Sequence, residues 1–354
     1  MNQEANPERA HIFYFDVLRV LSMFGVLFMH LSSARLAMVQ SPGFIAVCAF
    51  DSFFYTAVPL FFMISGALLL SSPKTDDPAA LKTRLPRILV PLLVWSVVCL
   101  SIPLVGSLVH GRALDFATFL LSLPRILAHE AAIPYWFLYF LIPLYLLSPA
   151  LRVLAKGLDG KGWKYLACLA LAVTAYETIK TILPYPQDMN LEILDRLFLL
   201  SGCMAYFLFG FRLHTKDLHV STPGLVLFIL ADTALITVCT VLRSRAQGAL
   251  DQSFQSYNLL FSAALSAAVF LLAKHNADRL PNGAKRIFSW LSARSFGVYL
   301  AHVPAILLLP SVGVDISTGK GFLLSLLIVP AACVLLSWIL SRIPVIRYLF
   351  LGQK

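Results

Sequence analysis

The chain has 354 residues, of which 59% are hydrophobic and only 13% charged, and its mean hydropathy is +0.80. A soluble domain carries about a quarter charged residues, so this composition excludes an ordinary water-soluble enzyme and indicates an integral membrane protein. The net charge of +10 does not imply a nucleic-acid partner. The basic residues sit in short loops between apolar runs, where they suit membrane lipid headgroups and orient the chain.

Ten apolar runs approach the roughly 20 residues that cross a bilayer. They cover 12–34, 44–70, 86–108, 134–151, 163–182, 194–213, 222–242, 254–273, 286–309 and 321–341. Hydrocarbon offers no water to backbone amides, so such runs predict helices. The expected fold is all-α: a polytopic membrane protein of about ten transmembrane helices, forming one domain over residues 1–354. The first run carries Arg19 and is too long for a cleavable signal. The stretch 115–127 is too short to cross and is expected to lie at the interface or re-enter. Six cysteines stand singly in apolar segments, so neither a disulfide framework nor a metal site is expected.

Loop charge sets the orientation. With the N-terminus in the cytoplasm, eighteen of the 28 Lys and Arg residues fall inside and eight outside, while Arg19 and Arg294 lie within runs. Both termini are therefore expected on the cytoplasmic face of a cell (inner) membrane.

Ionisable groups inside a membrane helix are costly and usually face a partner or a wet cavity. In the first run, Arg19 and His30 fall about 20° apart around the helix and roughly 16 Å apart along it. Asp16 lies one turn before Arg19 and can neutralise it. The ninth run places Ser295, Tyr299 and His302 on one face, with His302 at about the depth of His30. His302 has a second reading, as partner of the backbone carbonyl freed by Pro304. Asp51, Tyr139, Glu177, Lys180, Asp195 and Arg196 cluster toward the same outer half. Where the third run begins, Lys82, Arg84 and Arg87 form a basic group suited to phosphates or lipid headgroups. The motifs of soluble hydrolases, metalloproteases and nucleotide-binding folds are absent, which leaves a histidine as the natural general base.

Five motifs in order carry a family resemblance: "RVLSMFGVLFMH" (19–30), "VPLFFMISGALLL" (58–70), "RLPRILVP" (84–91), "YWFLYFLIPLYLLSP" (135–149) and "SFGVYLAH" (295–302). Together they resemble acyltransferase family 3, the membrane O-acyltransferases. The chain is similar to its short members, of the kind that acetylate enterobacterial common antigen. Where relatives often have Arg and His, this chain has Tyr55 and Pro134.

The resemblance implies transfer of an acyl group, usually acetyl, from cytoplasmic acetyl-CoA or another acyl-CoA to a hydroxyl of a surface glycan or lipid-linked glycan. The acyl-CoA is a substrate, and no bound cofactor is implied. It also implies that Arg19 and His30 are essential. On this reading His30 is the base, and Arg19 positions the donor or stabilises developing charge. Lys82, Arg84 and Arg87 bind donor phosphates, and Trp136, Tyr139, Ser295, Tyr299 and His302 shape the acceptor side. Arg19 and His30 are expected to line one cavity open to both sides. The alternative is a glycan or lipid-linked-sugar exporter without acyl transfer.

Overall fold

The computed structural model describes residues 11–75, 77–109, 111, 113–127, 129–183 and 202–353. Fifteen α-helices occur in these stretches, and no strand is found among the described residues. In chain order they are α1 (Phe13–Leu36), α2 (Phe44–Phe54), α3 (Ala57–Ser71), α4 (Leu81–Arg84), α5 (Pro86–Val109), α6 (Phe116–Ser122), α7 (Trp136–Gly157) and α8 (Gly160–Ile182). There follow α9 (Cys203–Thr215), α10 (Thr222–Gln247), α11 (Leu260–Asn276), α12 (Asn282–Ser292), α13 (Ser295–Leu307), α14 (Gly319–Leu340) and α15 (Pro344–Leu351).

Among the described residues, eight helical stretches are long and apolar enough to cross a membrane. The chain is an all-α polytopic membrane protein. Its outer surface is apolar, with Leu227 69% and Leu327 72% exposed, while Ser22, Ser32, Asp51, Ser96 and Ser266 are buried inside. That inversion suits a lipid solvent, which favours apolar groups on the outside and polar groups in the interior of the bundle.

Three expected runs take a different form. The run 44–70 breaks at Tyr55–Thr56 into α2 and α3. Pro59 cannot donate to the Tyr55 carbonyl, and its ring crowds that turn. The run 286–309 also divides, into the amphipathic α12 and the 13-residue α13. Arg294 therefore sits at a helix junction rather than inside a span, with its guanidinium 3.9 Å from the Trp290 ring centroid. For the run 194–213, α9 accounts for the second half. Asp195 and Arg196 lie outside the described residues. The short stretch 115–127 forms α6 and a following 3-10 turn, started by Asp115 accepting from the Thr118 N–H at 2.9 Å.

The long helix α1 is central and packs against α2, α3, α11, α12, α13 and α14. The tightest crossing joins α3 to α9 through reciprocal glycines. A Cβ on Gly66 would lie 1.8 Å from the Phe207 carbonyl oxygen, and one on Gly210 would lie 2.2 Å from that of Met63. Only small residues let membrane helices approach so closely.

Candidate active site

At the end of the bundle where α1 begins, a cavity of about 540 Å³ is lined by Arg19, Arg84, Arg87, Tyr145, Ser295 and Tyr299, among others. Three guanidinium groups lining one cavity suit an anionic, phosphate-bearing molecule. Arg84 is anchored on the turn after α3, donating to Thr75 Oγ1 at 2.6 Å and Ser72 Oγ at 3.2 Å. Lys82 is exposed and does not line this cavity. Residues two apart point to different sides of a helical turn, which separates it from Arg84.

Arg19 is half-buried, with Nη1 3.5 Å from Asp16 Oδ1. Asp16 does more than neutralise it. Its carboxylate accepts from Ser289 Oγ and Ser292 Oγ, both at 2.7 Å, and lies 2.7 Å from His11 Nε2. The acid thus ties α1 to α12 beside the guanidinium.

His30 is not among the residues lining the Arg19 cavity. It stacks on His302, with ring centroids 5.3 Å apart and planes at 29°. Tyr299, which lines the cavity, stands 5.7 Å from the His302 ring. Arg19 thus lines the basic chamber, the two imidazoles stack as a separate layer, and Tyr299 lies next to both. Ser295 belongs to the basic chamber rather than the far side, because α13 starts at the same end as α1 and Ser295 is its first residue.

His302 Nδ1 bonds to the Tyr299 carbonyl. A carbonyl can only accept, so Nδ1 carries the proton and Nε2 keeps its lone pair. Nε2 is buried and has no hydrogen-bond partner among the described residues. The carbonyl freed by Pro304 is that of Leu300, four residues earlier. It accepts from the Tyr135 hydroxyl at 2.6 Å, so His302 does not serve it. A reciprocal bond runs from the Tyr299 hydroxyl to the Pro134 carbonyl at 2.5 Å. Together the two tyrosines clamp the start of α7 to α13.

Trp136 and Tyr139 line a separate cavity of about 550 Å³, with Phe62, Pro143 and Tyr257 among its walls. Trp136 stacks on Tyr257 at 5.7 Å, and the Tyr139 hydroxyl donates to the Ile126 carbonyl at 2.6 Å. They do not join Ser295, Tyr299 and His302 in one group. Elsewhere, Asp51 accepts from Ser32 Oγ at 3.2 Å, and Lys180 pairs with Glu177 at 3.0 Å. Among the described residues, no group of three or more His, Cys, Asp or Glu side chains is placed to hold a metal.

A basic chamber beside an imidazole pair deep among helices is suited to passing a group from an anionic carrier to a nucleophile that a histidine deprotonates. The family model for the acyltransferase domain matches residues 12–342. The chain belongs to acyltransferase family 3. No curated protein and no solved structure matches it. As a membrane acyltransferase it holds Arg19, His30 and His302 within the family's domain.

Several residues of this acyltransferase site were not singled out from its sequence. Tyr135 precedes Trp136 in the same aromatic run and is fully buried. Its place at the head of the 135–149 motif is the signal the sequence offers. Ser289 and Ser292 show a spacing of three that suits a single partner. Tyr145, Gly352 and Gln353 carry no local signal for lining the chamber.

Proposed function

We propose that this acyltransferase moves an acetyl group from cytoplasmic acetyl-CoA to a hydroxyl of a surface glycan or lipid-linked glycan at the inner membrane. The observation that carries the reading is the pairing of the Arg19–Arg84–Arg87 chamber with the His30–His302 layer one helix-half away. The loop charge supports a cytoplasmic chamber, with both termini on the same side.

The arginines hold the donor phosphates, and the thioester end passes Tyr299 toward the imidazoles. His30 takes the proton of the acceptor hydroxyl as its oxygen attacks the thioester carbonyl. The tetrahedral adduct collapses, the C–S bond breaks, and the departing thiolate takes the proton from the imidazolium. His302 lies against His30 and supports the charge it gains. Arg19 lies roughly 16 Å along the helix from His30, so it positions the donor and does not touch the reacting carbonyl.

The test is to give radiolabelled acetyl-CoA to the cytoplasmic face of membrane vesicles and to follow label into the glycan fraction. Label in the glycan supports the reading. An exporter would move sugar and transfer no label.

A further inference from the structure

The match to the acyltransferase domain ends at residue 342, yet Leu351, Gly352 and Gln353 form part of the Arg19 chamber wall. The helix α15 is fastened to α5, where Trp95 Nε1 donates to the Phe350 carbonyl at 2.9 Å and the two rings meet edge-on at 5.5 Å. Gly352 then reverses the chain with φ +63°, its N–H donating to the Tyr348 carbonyl at 3.0 Å. Its backbone lies so close to α5 that a Cβ there would sit 2.0 Å from the Arg87 carbonyl oxygen. Glycine alone meets both demands, positive φ and no side chain.

The reversal delivers Gln353 to the chamber, with Nε2 donating to the Ala293 carbonyl at 3.1 Å. That bond uses one N–H of the carboxamide, and Oε1 remains an acceptor. The guanidinium groups of Arg19, Arg84 and Arg87, which line the same chamber, can only donate. A carboxamide oxygen therefore supplies what the arginines lack, a site for a neutral N–H.

We propose that residues 343–353 form a donor-selecting collar, in which Gln353, presented by the Gly352 turn, binds an amide N–H of the pantetheine arm of the CoA thioester. The arginines hold the phosphates, and Gln353 reads the neutral arm. This rests on the acyl-CoA reading above and deepens it.

The experiment uses the full chain in lipid nanodiscs, with acetyl-CoA as donor and two competitors that divide it. Acetyl-pantetheine carries the arm without the nucleotide, and adenosine 3′,5′-bisphosphate carries the nucleotide without the arm. Gln353→Ala is expected to weaken inhibition by acetyl-pantetheine about threefold to tenfold, the loss of one hydrogen bond. Inhibition by the bisphosphate stays within twofold of wild type. Gln353→Asn, which keeps the carboxamide but draws it back by one methylene, is expected to repeat that split more weakly. The Gln353 side chain is not buried, so both variants are expected to insert normally. Unchanged inhibition by both competitors, or equal weakening of both, overturns the collar. A wild-type protein that takes no acetyl from acetyl-CoA overturns the donor reading itself, and the collar with it.

Discussion

The imidazole of His30 lies against that of His302, with ring centroids 5.3 Å apart and planes 29° from parallel. The two come from different helices, α1 and α13, which run side by side from the same end of the bundle. His302 presents a stacked ring to His30, with its Nδ1 proton committed to the Tyr299 carbonyl.

His302 should therefore support the base without replacing it. His302→Ala is expected to lower kcat by about 10- to 100-fold and to leave donor KM within twofold, a smaller loss than removing a general base, which costs roughly 10²–10⁴. Steady-state kinetics on membranes containing equal amounts of protein check this. A rise in donor KM with unchanged kcat would place His302 in binding rather than in proton transfer.

Arginines of the chamber should act on the donor. Arg84→Ala and Arg87→Ala are each expected to raise acetyl-CoA KM by about tenfold, the scale of a charge-assisted hydrogen bond. Lys82→Ala should change it less than twofold, because Lys82 is exposed and outside the chamber. Arg19→Lys should not restore wild-type KM, since an ammonium cannot reproduce the planar fork of a guanidinium. A salt titration gives a second reading, with the donor KM of wild type rising more steeply than that of Arg84→Ala.

Tyr135→Phe tests the clamp between α7 and α13. It leaves the Leu300 carbonyl, already deprived of a helical partner by Pro304, buried without a donor. The expected cost is about 1–3 kcal/mol of stability, read as a lower melting temperature in detergent. Tyr299→Phe frees the Pro134 carbonyl instead, and should widen the range of acyl donors accepted if Tyr299 restricts passage to the histidine layer. Acyl-chain competition assays measure that range.

Gly66→Ala forces a methyl into backbone of the neighbouring helix, since the added carbon would lie 1.8 Å from the Phe207 carbonyl oxygen. Separating α3 from α9 is expected to cost about 1–3 kcal/mol, as overpacking of a tight contact does. Gly283→Ala, with nothing within 4 Å of the added carbon, serves as the neutral comparison in the same thermal melt.

Much of this architecture was legible in the sequence because a lipid solvent simplifies the code. Apolar runs of bilayer length must be helices, and rare charges inside them stand out. Arg19, His30 and His302 stand out that way, and their positions in the two runs put His30 and His302 at one depth. The pattern could not show that Tyr299 lies next to both the basic chamber and His302, because its placement depends on a hydroxyl bond to Pro134 outside its own helix. Nor could it separate Trp136 from Tyr299, since aromatic residues read alike until the α3–α7 packing assigns each a side. The break at Tyr55–Thr56 was readable from Pro59, whereas the junction at Ala293–Arg294 lies inside a run that hydropathy treats as continuous. Gln353 was invisible because nothing local marks a residue that reaches the chamber by way of a glycine turn.

The central claim is that His30 takes a proton from the acceptor as the acyl group passes from a cytoplasmic thioester to a hydroxyl. The most direct measurement compares wild type with His30→Ala in proteoliposomes that contain a glycan acceptor and receive radiolabelled acetyl-CoA at the cytoplasmic face. Binding of acetyl-CoA is followed in parallel. The expected result is donor affinity within twofold of wild type and transfer reduced by about 10²-fold or more. Label reaching the glycan at the wild-type rate in His30→Ala would contradict the account.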